Sequence, residues 1–387
     1  MLGPSGCGAA PQSETLALEI QVRLFDALAD RNPDYEDTLA AVLALDPATR
    51  EQRLTPLAQR NSRDPLIASL LDSLLGTEVY ALYYQQFHNV SPDLHRSIFM
   101  ALPYRALPSP AAIGTTQLEL FRNRRGLSAL VGLLSRVDKA RAVAMAAAWS
   151  PAADTTVPVT YYIMDGNGDA FASEGGVCFD LYSLLLSRRP ESNRYANLAD
   201  VPVANIEAVL AHEYQHVFAG PTLYPEGRSF DTWQARWEDL LIRRIVSEGV
   251  AMQCNPPSGF KKAVFEDSLV VAYWLRELEG VILRMRRNEI TEDSVSNWHD
   301  RSYHDTARRL LADFVSRAYP DGDQPALLQE HITDRPSAVY TLGWWMLSRI
   351  VAIPGGRDQA LGLLRSPESL FDQYNAAVGD TGLRVEL

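Results

Sequence analysis

Cysteine is nearly absent from this 387-residue chain, which carries only Cys7, Cys178 and Cys254. The three stand too far apart for a CxxC ligand pair and are too few for a disulfide framework, so neither device organises the fold. Cys178 and Cys254 remain a conceivable disulfide pair in an oxidising compartment; two inert buried thiols is the plainer reading. Long apolar runs are missing as well. No stretch of 18 or more uncharged apolar residues occurs, so the chain offers no ordinary transmembrane helix. Positive charge is in deficit: 36 Lys and Arg against 48 Asp and Glu give a formal net charge of −12. That field repels phosphate backbones and anionic lipid, and nucleic acid is not expected as a partner. No G-x-S-x-G elbow or P-loop occurs, and no cysteine has a neighbour that would mark a nucleophile. Apolar residues, in contrast, are plentiful. At 47% they suffice for a large core, in one large domain or two or three closely packed ones.

The first residues, MLGPSGCGAAPQSE, place a small-residue SGC before a polar, Pro-containing tail. This is similar to the cleavage region of a bacterial lipoprotein signal, without the basic and apolar segments that normally precede it. It implies a lipid anchor at Cys7 and an exported location (periplasmic, cell-surface or secreted), against an ordinary N-terminus of a cytoplasmic protein. Residues 1–13 are taken as a disordered N-terminus or lipoprotein-like remnant. Residues 14–150 form a helical region in which segments such as ETLALEIQVRLFDAL and DPLIASLLDSLLGTEVYALYYQQF repeat apolar residues every three or four positions. Residues 151–255 hold a Gly-rich turn between β-branched and aromatic runs, expected as a hairpin-like pair of strands at about 157–164 and 176–182. Residues 256–387 return to helices. The fold class expected is mainly α with a small β-sheet, an α+β arrangement.

Within the third region stands VLAHEYQHVFAG, residues 209–220. Residues four apart on a helix differ by about 40° in azimuth, so His212 and His216 project from one face, with Glu213 on the same side. Neutral imidazoles ligate zinc, the ion acidifies a bound water, and a carboxylate beside it takes the proton. HExxH supplies all of these on one rigid element, and its chance occurrence here is about one in a hundred. Asp200 is the expected cap of this helix, with Pro202 in its first turn and Pro221 just beyond its end at Gly220. A second long helix, DTWQARWEDLLIRRIVSEGVAMQ, starts with Asp231 and Gln234 in capping-box relation.

A third protein ligand is required, with the fourth position left for water. Ala219 and Thr222 stand where a metzincin needs Gly and His, which removes that class. HEYQH followed by the helical SEGVA of residues 247–251 resembles the gluzincin branch of zinc metallopeptidases, and more narrowly a group of bacterial predicted zinc-dependent peptidases. The resemblance covers about residues 157–350. It implies Glu248 as third ligand, one Zn²⁺ per chain, a zincin-like catalytic core, and a peptide or protein as substrate. Gly249 would let the second helix approach the HEYQH helix closely. Met252 occupies the place where thermolysin-like members carry an orienting aspartate, which leaves the partners of the ligand histidines unassigned.

Because His216 lies near the end of its helix and Glu248 about 25 Å into the next, the 220–231 segment is expected to run outward and wall or cover the cleft. Glu226 on that segment is the alternative ligand. For the oxyanion a donor beyond the metal is needed. Tyr340 is the choice, since the family it resembles carries a Tyr before a Gly-containing helix at a similar place; a core tyrosine is the competing reading. His331 is second, and a surface role is expected for His299 and His304. The strand at about 176–182 is expected to be an edge along which substrate lies. DGNGD at 165–169 departs from a calcium loop at Ala170 and Gly176 and is taken as a turn. The function implied is peptide-bond hydrolysis by metal-activated water with Glu213 as general base. A metal-binding protein without turnover and a zinc hydrolase of non-peptide substrates stay open.

Overall fold

The computed structural model describes residues 14–87, 90–104, 112–122, 124–151, 156–165, 170–173, 176–181, 202–302, 305–322, 324–330, 337–379 and 383–387. Cys7, Asp200, His304, His331 and most of DGNGD fall outside these. The molecule is mainly α-helical with one small sheet, and it divides into two compact units: Met1–Val137 with Val159–Leu185 and Asn193–Val203, and Asp138–Pro158 with Leu186–Ser192 and Ala204–Leu387.

In the first unit, helices Leu16–Arg31, Pro65–Leu75 and Arg124–Leu134 present the apolar stripes read from the sequence. Asp64 starts one of them by accepting from the N–H groups of Leu66 and Ile67 at 2.9 and 3.3 Å, so that Pro65 sits harmlessly at the first helical position. The long apolar segment 65–86 is two helices rather than one, Pro65–Leu75 and Glu78–Gln86, bent by 62°. No single helix among the described residues is long and apolar enough to cross a membrane.

The sheet departs from the expected hairpin. β1 (Thr160–Ile163) pairs with β3 (Gly176–Asp180) in parallel, and β2 (Ala170–Ser173) pairs with β3 antiparallel, in the order β1-β3-β2. The hairpin is β2–β3, a strand the β-branched pattern did not announce because it reads only AFAS. The 176–180 strand is consequently central and not an edge, which removes it as the expected substrate-binding edge. Gly176 makes the parallel pairing possible: its φ is +130°, and a Cβ there would lie 2.5 Å from the Val159 carbonyl that accepts from Val177. Just beyond β1, Asp165 is fully buried. Its carboxylate faces His95 Nε2 at 3.0 Å and accepts from Gln117 Nε2 at 3.1 Å, while its N–H donates to Asp180. These bonds spend the Asp165 carboxylate inside the unit.

Every regular element among the second unit's described residues is a helix. Its core gathers Leu223, Val246, Val250, Trp274, Leu342 and Leu347, and its closest helix pair is Trp233–Cys254, the Glu248 helix, against Ala338–Ala352. Gly249 and Gly343 meet there. A Cβ on Gly249 would fall 2.6 Å from the Gly343 carbonyl, and one on Gly343 would fall 2.8 Å from the Gly249 nitrogen. Gly249 therefore serves the 338–352 helix, not the HEYQH helix as expected. The cap of the Glu248 helix also differs: Thr232 accepts from Ala235 N–H at 3.2 Å, one position after the expected Asp231. Thr232 accepts at the third residue of the helix, a bond that Asp231, one position further out, does not supply.

The HEYQH helix runs Val203–Leu223 and contains Pro221, which had been expected to stop it. Proline costs the one hydrogen bond to the carbonyl four residues back, and the turn beyond it is held by others. Tyr224 N–H donates to the Gly220 carbonyl at 2.7 Å, Arg243 donates to the Leu223 carbonyl, and Leu223 is wholly buried. At the other end, Glu207 accepts from Asp138 N–H at 3.1 Å and pairs with Arg141 at 3.3 Å. Midway, Gln215 donates to the Trp149 carbonyl at 3.2 Å. The helix is thus held along its length, which fixes the azimuth of its histidines. Cys178 and Cys254 are both buried and neither is in a disulfide; burial pushes Cys254 up to about 12, where it stays an unreactive thiol.

Candidate metal centre

Among the described residues, one group of three metal-capable side chains gathers: ligand atoms of His212, His216 and Glu248 lie within 4.8 Å of one another. The two Nε2 atoms are 3.1 Å apart, and Glu248 Oε2 stands 3.3 Å from His212 Nε2 and 3.6 Å from His216 Nε2. Four donors around a zinc ion at 2.0–2.1 Å are separated by about 3.3 Å, the edge of the tetrahedron. The three separations bracket that value. Glu248 Oε2 is buried and makes no well-aligned hydrogen bond, with the two imidazole nitrogens its close polar neighbours, an arrangement that a cation between the three satisfies. One carboxylate and two imidazoles are also a donor set suited to zinc. The residues present fit the ion.

The electrostatics reflect the same crowding. Burial would lower the His216 imidazolium, but the Glu248 carboxylate, with help from Glu213, holds it up at about 9. Burial would raise Glu248, yet the two histidines, His216 foremost, keep it well below the usual carboxylate range. A proton held on His216 is thus paired with the Glu248 charge.

Glu213 is buried, 7% exposed, and its Oε1 lies 4.0 Å from His212 Nε2, outside the ligand trio and beside it. Tyr340 is half-buried on the 338–352 helix, one turn before the Gly343 that touches Gly249 and on the same side of its helix. Glu226 is exposed on its loop and takes no part in the trio.

Several residues escaped the sequence reading. Ser247, 8% exposed, places Oγ 2.9 Å from His216 Nδ1, so a proton on Nδ1 is donated to Ser247 and Nε2 keeps its lone pair for a ligand. This is the orienting partner that Met252 could not be. Tyr224 brings its hydroxyl to Ser247, and burial, opposed by Arg244 and reinforced by the Glu248 charge, pushes it up to about 12. Arg244, four residues before Glu248 and thus on its face of the helix, donates to His299 Nε2 at 2.6 Å. His299 is 8% exposed, against the expected surface role. HDRSYHD reads as polar, but Trp237 and Arg244 cover this histidine on one side. No spacing rule links 224, 244 and 299; only the second signal, i to i+4 along SEGVA's own helix, was open to sequence reasoning.

The family model described as "Putative zinc dependent peptidase (DUF5700)" matches residues 71–380. The chain belongs to this family, and the matched span includes the whole of the centre described above. No curated protein and no solved structure matches the chain.

Proposed function

We propose that the second unit carries a zincin-like catalytic core of the gluzincin kind and that the chain hydrolyses peptide bonds. The observation that supports this most is the convergence of three donors, the buried Glu248 Oε2 and the two imidazole Nε2 atoms, at tetrahedral-edge separations. His212, His216 and Glu248 would hold one zinc ion. Zinc, when bound, supplies Lewis acidity and an acidified water.

The chain's own residues do the rest. Glu213 takes a proton from the attacking water and hands it to the leaving amine, a transfer its burial beside His212 suits. Ser247 keeps His216 in the tautomer that leaves Nε2 available. Tyr340 steadies the oxyanion; Tyr224, whose hydroxyl stands near Glu248 and stays protonated, is the competing donor.

Glu213→Gln tests the reading. It should retain zinc and lose peptide hydrolysis by at least about 10²-fold. Retained turnover would remove Glu213 as base, and a parent that binds zinc yet cleaves esters but no peptide would turn the function to a non-peptide hydrolase. Tyr340→Phe and Tyr224→Phe, assayed side by side, tell the two donors apart: the true one loses kcat by about 10²-fold with little change in KM.

A further inference from the structure

Away from the metal ligands, the second unit has a concavity of about 710 Å³ lined by helices Ser268–Arg286, Glu292–Ser302 and Asp305–Ala318. We propose that it is a carbohydrate-binding site, which stacks pyranose rings on Tyr273 and Trp298 and holds vicinal sugar hydroxyls between Glu277 and Arg309. The proposal does not depend on the peptidase reading.

Helical periodicity builds one wall. Tyr273, Glu277 and Arg284 stand four and seven residues apart and so share a stripe of their helix. Trp274 and Val281, on the adjoining stripe, are buried and close the floor. The half-buried Tyr273 ring meets the Trp274 ring edge-on, with centroids 5.3 Å apart and planes at 79°. Trp298 is half-buried as well, and both Tyr273 and Trp298 pack on the core of the unit. Each ring is therefore fixed from behind before a ligand arrives, and covering its remaining face costs little side-chain entropy.

The polar groups around these rings are not committed to one another. Among the described residues, the Glu277 carboxylate, the Asn297 amide, the Tyr273 hydroxyl and the Trp298 indole N–H have no hydrogen-bond partner within the chain. Arg309 reaches only Thr306, at 3.3 Å, and Arg284 uses Nε on the Gly280 carbonyl at 3.0 Å, each within its own helix. Burial and then Glu277 raise the Tyr273 hydroxyl, while Arg309 lowers it, so both charges stand near one phenol without forming an ion pair.

This set of groups selects its ligand. Asp305 adds to the acidic side and Arg284 to the basic side, so the lining is balanced in charge and favours neither an anion nor a cation. A hydroxyl both donates and accepts. Of a vicinal pair, one donates to Glu277 while its neighbour accepts from Arg309, and both bonds are charge-assisted. The C–H face of a pyranose supplies the flat apolar surface that an exposed aromatic face covers. The volume falls within the range of about 300–1,000 Å³ usual for small-molecule sites.

The test is calorimetric titration of the purified chain with maltotriose, cellotriose, mannotriose and triacetylchitotriose, and with triglycine as a zwitterionic control. Trp298→Ala, Glu277→Gln and Asn297→Ala are run alongside, with melting curves to establish folding; should Trp298→Ala not fold, the other two, at half-buried and exposed positions, carry the comparison. At least one saccharide should bind the parent with a Kd of about 1 mM or tighter. Glu277→Gln should weaken that binding by about 10-fold and Trp298→Ala by about 10-fold or more, with zinc content unchanged in both. No saccharide binding at concentrations up to about 10 mM, or affinities unchanged in the folded variants, overturns the proposal. Triglycine bound in place of the saccharides also overturns it, and makes the concavity a peptide site.

Discussion

Ser247 stands directly before Glu248 in the chain, yet the residue it serves is His216, 2.9 Å away across the site. Partners of this kind fix the tautomer and ring angle of a ligand histidine, and their loss costs about 10- to 100-fold in metal affinity. Ser247→Ala should weaken zinc binding by that factor, measured by competition with a chromophoric chelator; an unchanged affinity would mean that packing alone orients the ring. A second prediction follows from His216 being held up to about 9 by Glu248 and Glu213. Zinc takes only the neutral imidazole. Below that pH binding must displace a proton, so affinity rises with pH, about tenfold per unit between roughly 7 and 9, and levels off above. Calorimetry at pH 7.5 in buffers of different ionisation enthalpy should count about one proton released per zinc. No release would contradict the protonated state.

At the scale of elements, the pairing of the Glu248 helix with the 338–352 helix depends on two missing side chains. A methyl on Gly249 would lie 2.6 Å from the Gly343 carbonyl, where backbone cannot yield without the helices parting. Gly249→Ala should cost about 1–3 kcal/mol or more, read as a lowered melting temperature, and should also displace Glu248 and weaken zinc binding. The loop before that helix is fastened by Asp239. Burial raises its pKa, but Arg228 and Arg243 outweigh this and hold the carboxyl below its ordinary value. Its folded pKa is thus the lower one, so its contribution is complete above about pH 4 and is lost as pH falls through the folded value. Residues 224–230 should therefore be nicked by an acid-active protease at pH 3 well before the helices are, and Asp239→Asn should show the same sensitivity at neutral pH. Equal resistance at both pH values would place the fastening elsewhere.

Across the whole molecule, what could be read from sequence was whatever lies close along the chain. HEYQH declares itself because one helical turn brings its histidines together, and Glu248 follows once a resemblance supplies the partner helix. Mainly helical character with a small sheet was legible for the same reason, as periodicity is local. The parallel β1–β3 pairing was not, since strand order depends on which edges meet and not on the strands' composition. The end of the HEYQH helix was misjudged because the turn past Pro221 is held from afar, Arg243, 20 residues on, donating to the Leu223 carbonyl. Tyr224, Arg244 and the buried His299 come from three separate elements, so no spacing could join them.

The account stands or falls on the ion. Elemental mass spectrometry of the purified chain after mild zinc loading and desalting, with His212→Ala and Glu248→Ala alongside, measures it directly. About one zinc per chain in the parent and less than about a tenth of that in either variant is the expected result. A parent that retains no zinc, or variants that bind as much as the parent, would show that His212, His216 and Glu248 are not a metal centre.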